Sequence, residues 1–218
     1  MQTEDIHAVM KILREDCSGW VKPALSILPD EIRNPYTLLI SCIISLRTKD
    51  AVTAAASARL FERASTPSRL AELSVGEIAG LIYPAGFYNN KAAQIQDISA
   101  RIANAFGGVV PDSVDELRSF RGVGRKTANL VVTLGYGRPG ICVDTHVHRI
   151  VNRWGYVATK TPDSTEQALR GILPDEYWIE INDLLVCYGQ NRCFPVSPVC
   201  SACGLFCFCS RAGIKKSR

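Results

Sequence analysis

The segment PYTLLISCIISL, residues 35–46, most narrows what this chain can fold into. Proline in first place suits a helix start, and the residues behind it are apolar on almost every face of the helix they would form. Such a helix has to be enclosed, and the rest of the chain reads as helices able to enclose it. Ile6, Val9, Met10 and Leu13 recur at spacings of three and four, predicting an amphipathic helix over 4–16. DAVTAAASARLFERA predicts another, capped by Asp50. Shorter helices are expected at 67–73, 75–83, 89–106, 113–119 and 124–136, with PAG, GG and RPG as punctuation between them. Asp144 opens a further helix, THVHRIVNRWG, and 163–173 and 175–188 make two more. No strand-like alternation and no internal repeat appear, so the expected fold class is all-α.

The length of 218 residues allows one or two domains, and a 47% hydrophobic content is enough for a real core. A net charge of +4 is compatible with a polyanionic partner without demanding one. No run approaches the roughly 18 apolar residues of a membrane span, and the N-terminus has no signal-peptide pattern. A reducing, cytoplasmic setting is expected, nucleoid-associated in a bacterium or archaeon. There, cysteines crowded together point to a metal site rather than to disulfides, and five of the nine fall within residues 193–209. Cys193, Cys200, Cys203 and Cys209 form C-x6-C-x2-C-x5-C, with Cys207 as a substitute for the last. Zinc sites usually pair two tight C-x2-C knuckles, and here there is one. The uneven spacing suits a [4Fe–4S] cluster, whose four irons each offer a corner to one thiolate. Zinc stays the alternative.

FRGVGRKTANL, residues 120–130, places two glycines just before a helix and a lysine in its first turn. Gly122 and Gly124 can take positive φ and let another backbone come close. The turn and the first helical N–H groups, with Arg125 and Arg121 beside them, make an anion site suited to phosphate. A cation is disfavoured at the positive end of a helix, which makes the Lys126 amine a better nucleophile. Beside a phosphate it would face a sugar, where attack on C1′ would expel the base and leave a Schiff base open to β-elimination. The plain alternatives are a helix–turn–helix corner and a lysine that is solvated or only contacts phosphate. Asp144 is either a simple N-cap or a carboxylate that stabilises positive charge on the sugar as the base departs.

In order along the chain, GVGRKTANLV, VDTHVHRIVNR and the four-cysteine pattern resemble endonuclease III, a helix–hairpin–helix DNA glycosylase family. The resemblance runs over nearly the whole chain, since PYTLLISCIISLRTKD and GFYNNKA also match the family's pattern. It implies a two-lobed fold: a six-helix barrel over 28–138, a second lobe of 1–27 with 139–218, and DNA in the cleft between them. It implies a monomer that excises oxidised or damaged pyrimidines, such as thymine glycol, from double-stranded DNA and then nicks the abasic site. Lys126 falls on the Schiff-base nucleophile, Asp144 on the catalytic carboxylate, and Cys193, Cys200, Cys203 and Cys209 on the [4Fe–4S] ligands. Chemistry at C1′ requires the nucleotide to be flipped out, and by position Arg47 and Phe87 would fill the hole it leaves. Lys91 would contact phosphate or stand on a solvated face.

The chain departs from the pattern at three places. Arg47 replaces a frequent Gln, Phe120-Arg121 replaces Leu-Pro before the glycines, and FPVSPV lacks basic residues. A relative with another base specificity, or a non-catalytic iron–sulfur DNA-binding protein, are the competing readings. Lys126 and Asp144 together weigh against the second of these.

Overall fold

The structure is a computed structural model that describes residues 1–20 and 34–218. Every regular element among the described residues is helical. The chain separates into two compact units, Met1–Pro23 with Pro139–Arg218, and Ala24–Arg138. The boundary expected at residues 27 and 28 lies outside the described residues.

Helix α1 (Ile6–Ser18) buries Ile6, Val9, Met10, Leu13 and Cys17, the stripe its periodicity predicts. In the Ala24–Arg138 unit, α2 (Pro35–Ser45) begins at Asn34. The Asn34 side chain accepts the N–H groups of Tyr36 and Thr37, and Thr37 Oγ1 accepts the N–H of Asn34 in return. Every residue from Tyr36 to Ile44 is buried. At about 1.5–3 kcal/mol for each fully buried Leu or Ile, this helix anchors its unit. Helices α3 (Asp50–Arg63) and α6 (Tyr88–Ala105) pack against it. Lys49, not Asp50, is the N-cap of α3; Asp50 is already helical, and no side-chain cap bond forms. Helices α4 (Pro67–Ala71), capped by Thr66, and α5 (Val75–Ile82), capped by Ser74, lie on α6.

Helix α7 (Val114–Arg118) leads through a glycine turn to α8 (Arg125–Leu130). The single helix expected to run to residue 136 instead widens into a π turn, Val131–Gly135. A Cβ on Gly135 would sit 3.1 Å from Pro35 Cα, so the widened turn rests against the start of α2 with no side chain between them.

The other unit adds α9 (Thr145–Trp154), α10 (Pro162–Ile172) and α11 (Glu180–Asn191), with α1 and α9 both packed on α11. The helix expected over 175–188 starts as a 3-10 turn, Asp175–Tyr177, and regular α-helix resumes only at Glu180. The Trp178 indole N–H, bonded back to Leu173 O at 2.9 Å, ties this corner together. No helix among the described residues is long and apolar enough to cross a membrane.

Candidate functional site

The hairpin between α7 and α8 is held from below. Phe120 and Val123 are buried, and Val123 N–H donates to Phe120 O at 3.1 Å to close the turn. Gly122 is left-handed at φ 74, as a tight turn requires. Gly124 is not; it is extended at φ −84 and ψ 171, because it is the N-cap of α8 and a helix is entered from that region. A Cβ on Gly124 would meet nothing within 4 Å, so open space lies in front of α8. Gly124 also offers no side chain to cap the first turn.

Two residues of α6, which sequence reasoning missed, brace this hairpin. Gln94 Nε2 donates to Arg121 O at 2.8 Å, and Arg101 donates to Ser119 O and Oγ while lying 4.8 Å from the Phe120 ring centroid. Their spacing of seven puts both on one face of α6, a signal that means something only once α6 is known to pass under the hairpin. Lys126, the second residue of α8, is half-buried, as is Arg125, while Arg121 is exposed. Beneath them, burial pushes the Cys42 thiol up to about 12, with the Lys126 charge acting in the opposite direction.

In the other unit Asp144 is the N-cap of α9. Its Oδ1 accepts the N–H groups of His146 at 2.8 Å and Val147 at 2.9 Å. Oδ2 takes no part in the cap. The segment leading in is anchored, since Cys142 and Val143 are buried and Asn182 Nδ2 donates to Cys142 O at 3.1 Å. The half-buried carboxylate therefore sits on a fixed backbone at the positive end of a helix.

Cys193, Cys200, Cys203 and Cys209 are all half-buried, whereas Cys207 is exposed. Among the described residues no three His, Cys, Asp or Glu side chains converge closely enough to hold one metal ion. Cys193, Cys203 and Cys200 each raise the Cys209 thiol pKa, after the larger effect of burial, and Cys207 is not among the groups that act on it. Four cysteine thiols on one loop are the donor type an iron–sulfur cluster takes.

Residues outside the cysteine pattern organise this loop. Arg153 donates to Cys193 Sγ at 3.3 Å, Phe194 O at 2.6 Å and Pro195 O at 2.7 Å. Arg149 donates to Cys193 O, and Tyr188 OH lies 3.2 Å from Cys203 Sγ. Gly189 lets α9 approach α11, because a Cβ there would lie 2.2 Å from His146 Nδ1 and 2.9 Å from Arg149 Nη2.

A fourth feature stands at the end of α2. Arg47 is left-handed at φ 53, and its guanidinium lies 5.6 Å from the Phe87 ring centroid. Phe87 is itself left-handed, at φ 58, and 60% exposed, so it stands at the surface and is not a core aromatic. Lys91 is neither a phosphate contact nor solvated. It is 5% exposed, and Nζ donates to Ile44 O at 2.7 Å, Leu46 O at 2.5 Å and Thr48 Oγ1 at 2.9 Å. Ile44 O and Leu46 O lie at the C-terminal end of α2, where carbonyls lack the next helical turn, and the α6 lysine turns inward to bond both. Burial pulls its pKa down to about 8.

Several known proteins resemble this chain in sequence and fold. Residues 40–175 match the HhH-GPD superfamily of base excision DNA repair proteins. The chain is 45% identical over 172 residues to endonuclease III of Thermotoga maritima, covering 79% of this chain and 81% of that protein. It is 36% identical over 188 residues to endonuclease III of Bacillus subtilis, covering 85% and 84%. It is also 44% identical over 171 residues to an endonuclease III-like protein 1 of Bos taurus, of whose length it spans 56%. Among solved structures, a trapped endonuclease III–DNA covalent intermediate superposes with a TM-score of 0.85 at 32% identity, covering 97% of both chains.

Proposed function

The chain belongs to the endonuclease III family, within the HhH-GPD superfamily of base excision repair DNA glycosylases, and from that membership we propose how its own residues divide the reaction. The hairpin carrying Arg121, Gly122, Gly124 and Arg125 takes the DNA backbone. Lys126 Nζ attacks C1′ of an oxidised or ring-damaged pyrimidine nucleotide. The bond from C1′ to the base breaks, and the base leaves with the bonding pair and gains a proton. The C1′–O4′ bond then opens, O4′ takes a proton, and Lys126 is left joined to C1′ as a Schiff base. That linkage acidifies C2′; loss of its proton expels the 3′ phosphate, and water releases the lysine. The Asp144 carboxylate stabilises the positive charge that builds on the sugar as the base departs.

One observation carries the covalent reading. The chain aligns over 97% of its length with an endonuclease III captured as a covalent DNA intermediate, and it keeps a half-buried lysine directly behind the glycine turn. Arg47 and Phe87 serve as the wedge that fills the space left by the flipped nucleotide. Cys193, Cys200, Cys203 and Cys209 would hold a [4Fe–4S] cluster, which supplies a cross-link that orders residues 193–209. Arg153 and Tyr188 orient two of those sulfurs.

Borohydride trapping on a duplex carrying thymine glycol tests the assignment. Wild type should give a covalent adduct, and Lys126→Gln should give none. An adduct surviving in Lys126→Gln would move the nucleophile elsewhere. Trapping only on a preformed abasic site would keep the lyase and exclude this substrate.

A further inference from the structure

Arg47 and Phe87 reach the same place from different loops, and both hold left-handed backbone that non-glycine residues keep only when their surroundings impose it. What imposes it is a chain of polar contacts centred on one buried ammonium. Lys91 Nζ bonds Leu46 O just before Arg47 and Thr48 Oγ1 just after it. The same Thr48 Oγ1 accepts Gly86 N–H at 3.0 Å, just before Phe87. A Cβ on Gly86 would lie 2.4 Å from Arg47 O, so only glycine lets the two loops close up this far.

We propose that Lys91 is a positioning residue that locks the Arg47 and Phe87 loops into one preformed wedge for opening damaged DNA. The inference rests on the reading of Arg47 and Phe87 as wedge residues. Buried as it is, Lys91 acts through them and does not touch DNA. Packing alone does not account for it, since a methionine would fill similar space without the penalty of burying a charge. A wedge already assembled enters the base stack without first losing the freedom of two loops, and the gain belongs to the flipping step.

A separation of two rates tests this. A base still in the stack needs the wedge, whereas a preformed abasic site has no base to extrude. Single-turnover excision of thymine glycol and cleavage of an abasic duplex are measured for wild type, Lys91→Met, Thr48→Val and Phe87→Ala. Lys91→Met and Thr48→Val should each lower excision by about tenfold or more, and abasic-site cleavage by less than about threefold. Cleavage of the abasic duplex also reports that each variant is folded. Equal losses in both reactions would make Lys91 a merely structural residue and overturn the proposal, as would unchanged excision. Unchanged excision in Phe87→Ala would instead overturn the wedge reading on which it rests.

Discussion

Asp144 is asked to do two things at once, and substitution can separate them. As N-cap of α9 it accepts two backbone N–H groups on Oδ1. Asp144→Ala removes both bonds, at about 1 kcal/mol, and the favourable carboxylate–helix interaction, at about 0.5 kcal/mol. The total of about 1.5 kcal/mol should lower Tm by about 3–6 °C in a chain of this size. Asparagine caps as well as aspartate, so Asp144→Asn should lose only the charge contribution, about 1–2 °C. Catalysis should not follow that order. If the carboxylate stabilises the sugar cation, both variants lose about 3 kcal/mol of transition-state stabilisation, or a factor of about 10² in rate. The assay is single-turnover excision of thymine glycol alongside thermal unfolding of the same preparations. Asp144→Asn excising within about threefold of wild type would show that the residue only caps its helix. Asp144→Asn melting as low as Asp144→Ala would refute the capping geometry.

Three further predictions concern the hairpin and the cysteine loop. Gly122→Ala forces a side chain into a left-handed position and displaces Gln94 from Arg121 O, so it should cost about 1–2 kcal/mol in unfolding measurements. Gly124→Ala has ordinary φ and empty space around its Cβ, so its stability should stay within about 0.5 kcal/mol of wild type while its affinity for abasic duplex falls. Unaltered affinity would mean that no backbone approaches the hairpin there. Arg153→Ala leaves the Phe194 and Pro195 carbonyls and Cys193 Sγ without their donor, and the purified variant should carry less iron per chain and lose visible absorbance faster in air. Full, stable iron content would show that Arg153 plays no part in holding the loop.

What could be read along the chain was local. Helical periodicity, the Pro35 start of α2, the capping role of Asp144, the glycine turn before Lys126 and the cysteine spacing each lie within a few residues, where propensity and hydrogen-bonding chemistry act directly. What could not be read depended on which elements meet. Lys91 looks like any solvated lysine until α6 is laid beside the open end of α2, whose unpaired carbonyls turn its ammonium inward. Phe87 reads equally well as core or tip until its left-handed backbone turns it out against Arg47. Gln94, Arg101 and Arg153 carry no motif at all, because each works on a backbone carbonyl, and every residue presents one. The sequence by itself determined the chemistry this chain can attempt. Tertiary packing decided which side chains are spent on holding the loops that perform it, because burying a polar group demands a partner and only the assembled fold says where that partner stands.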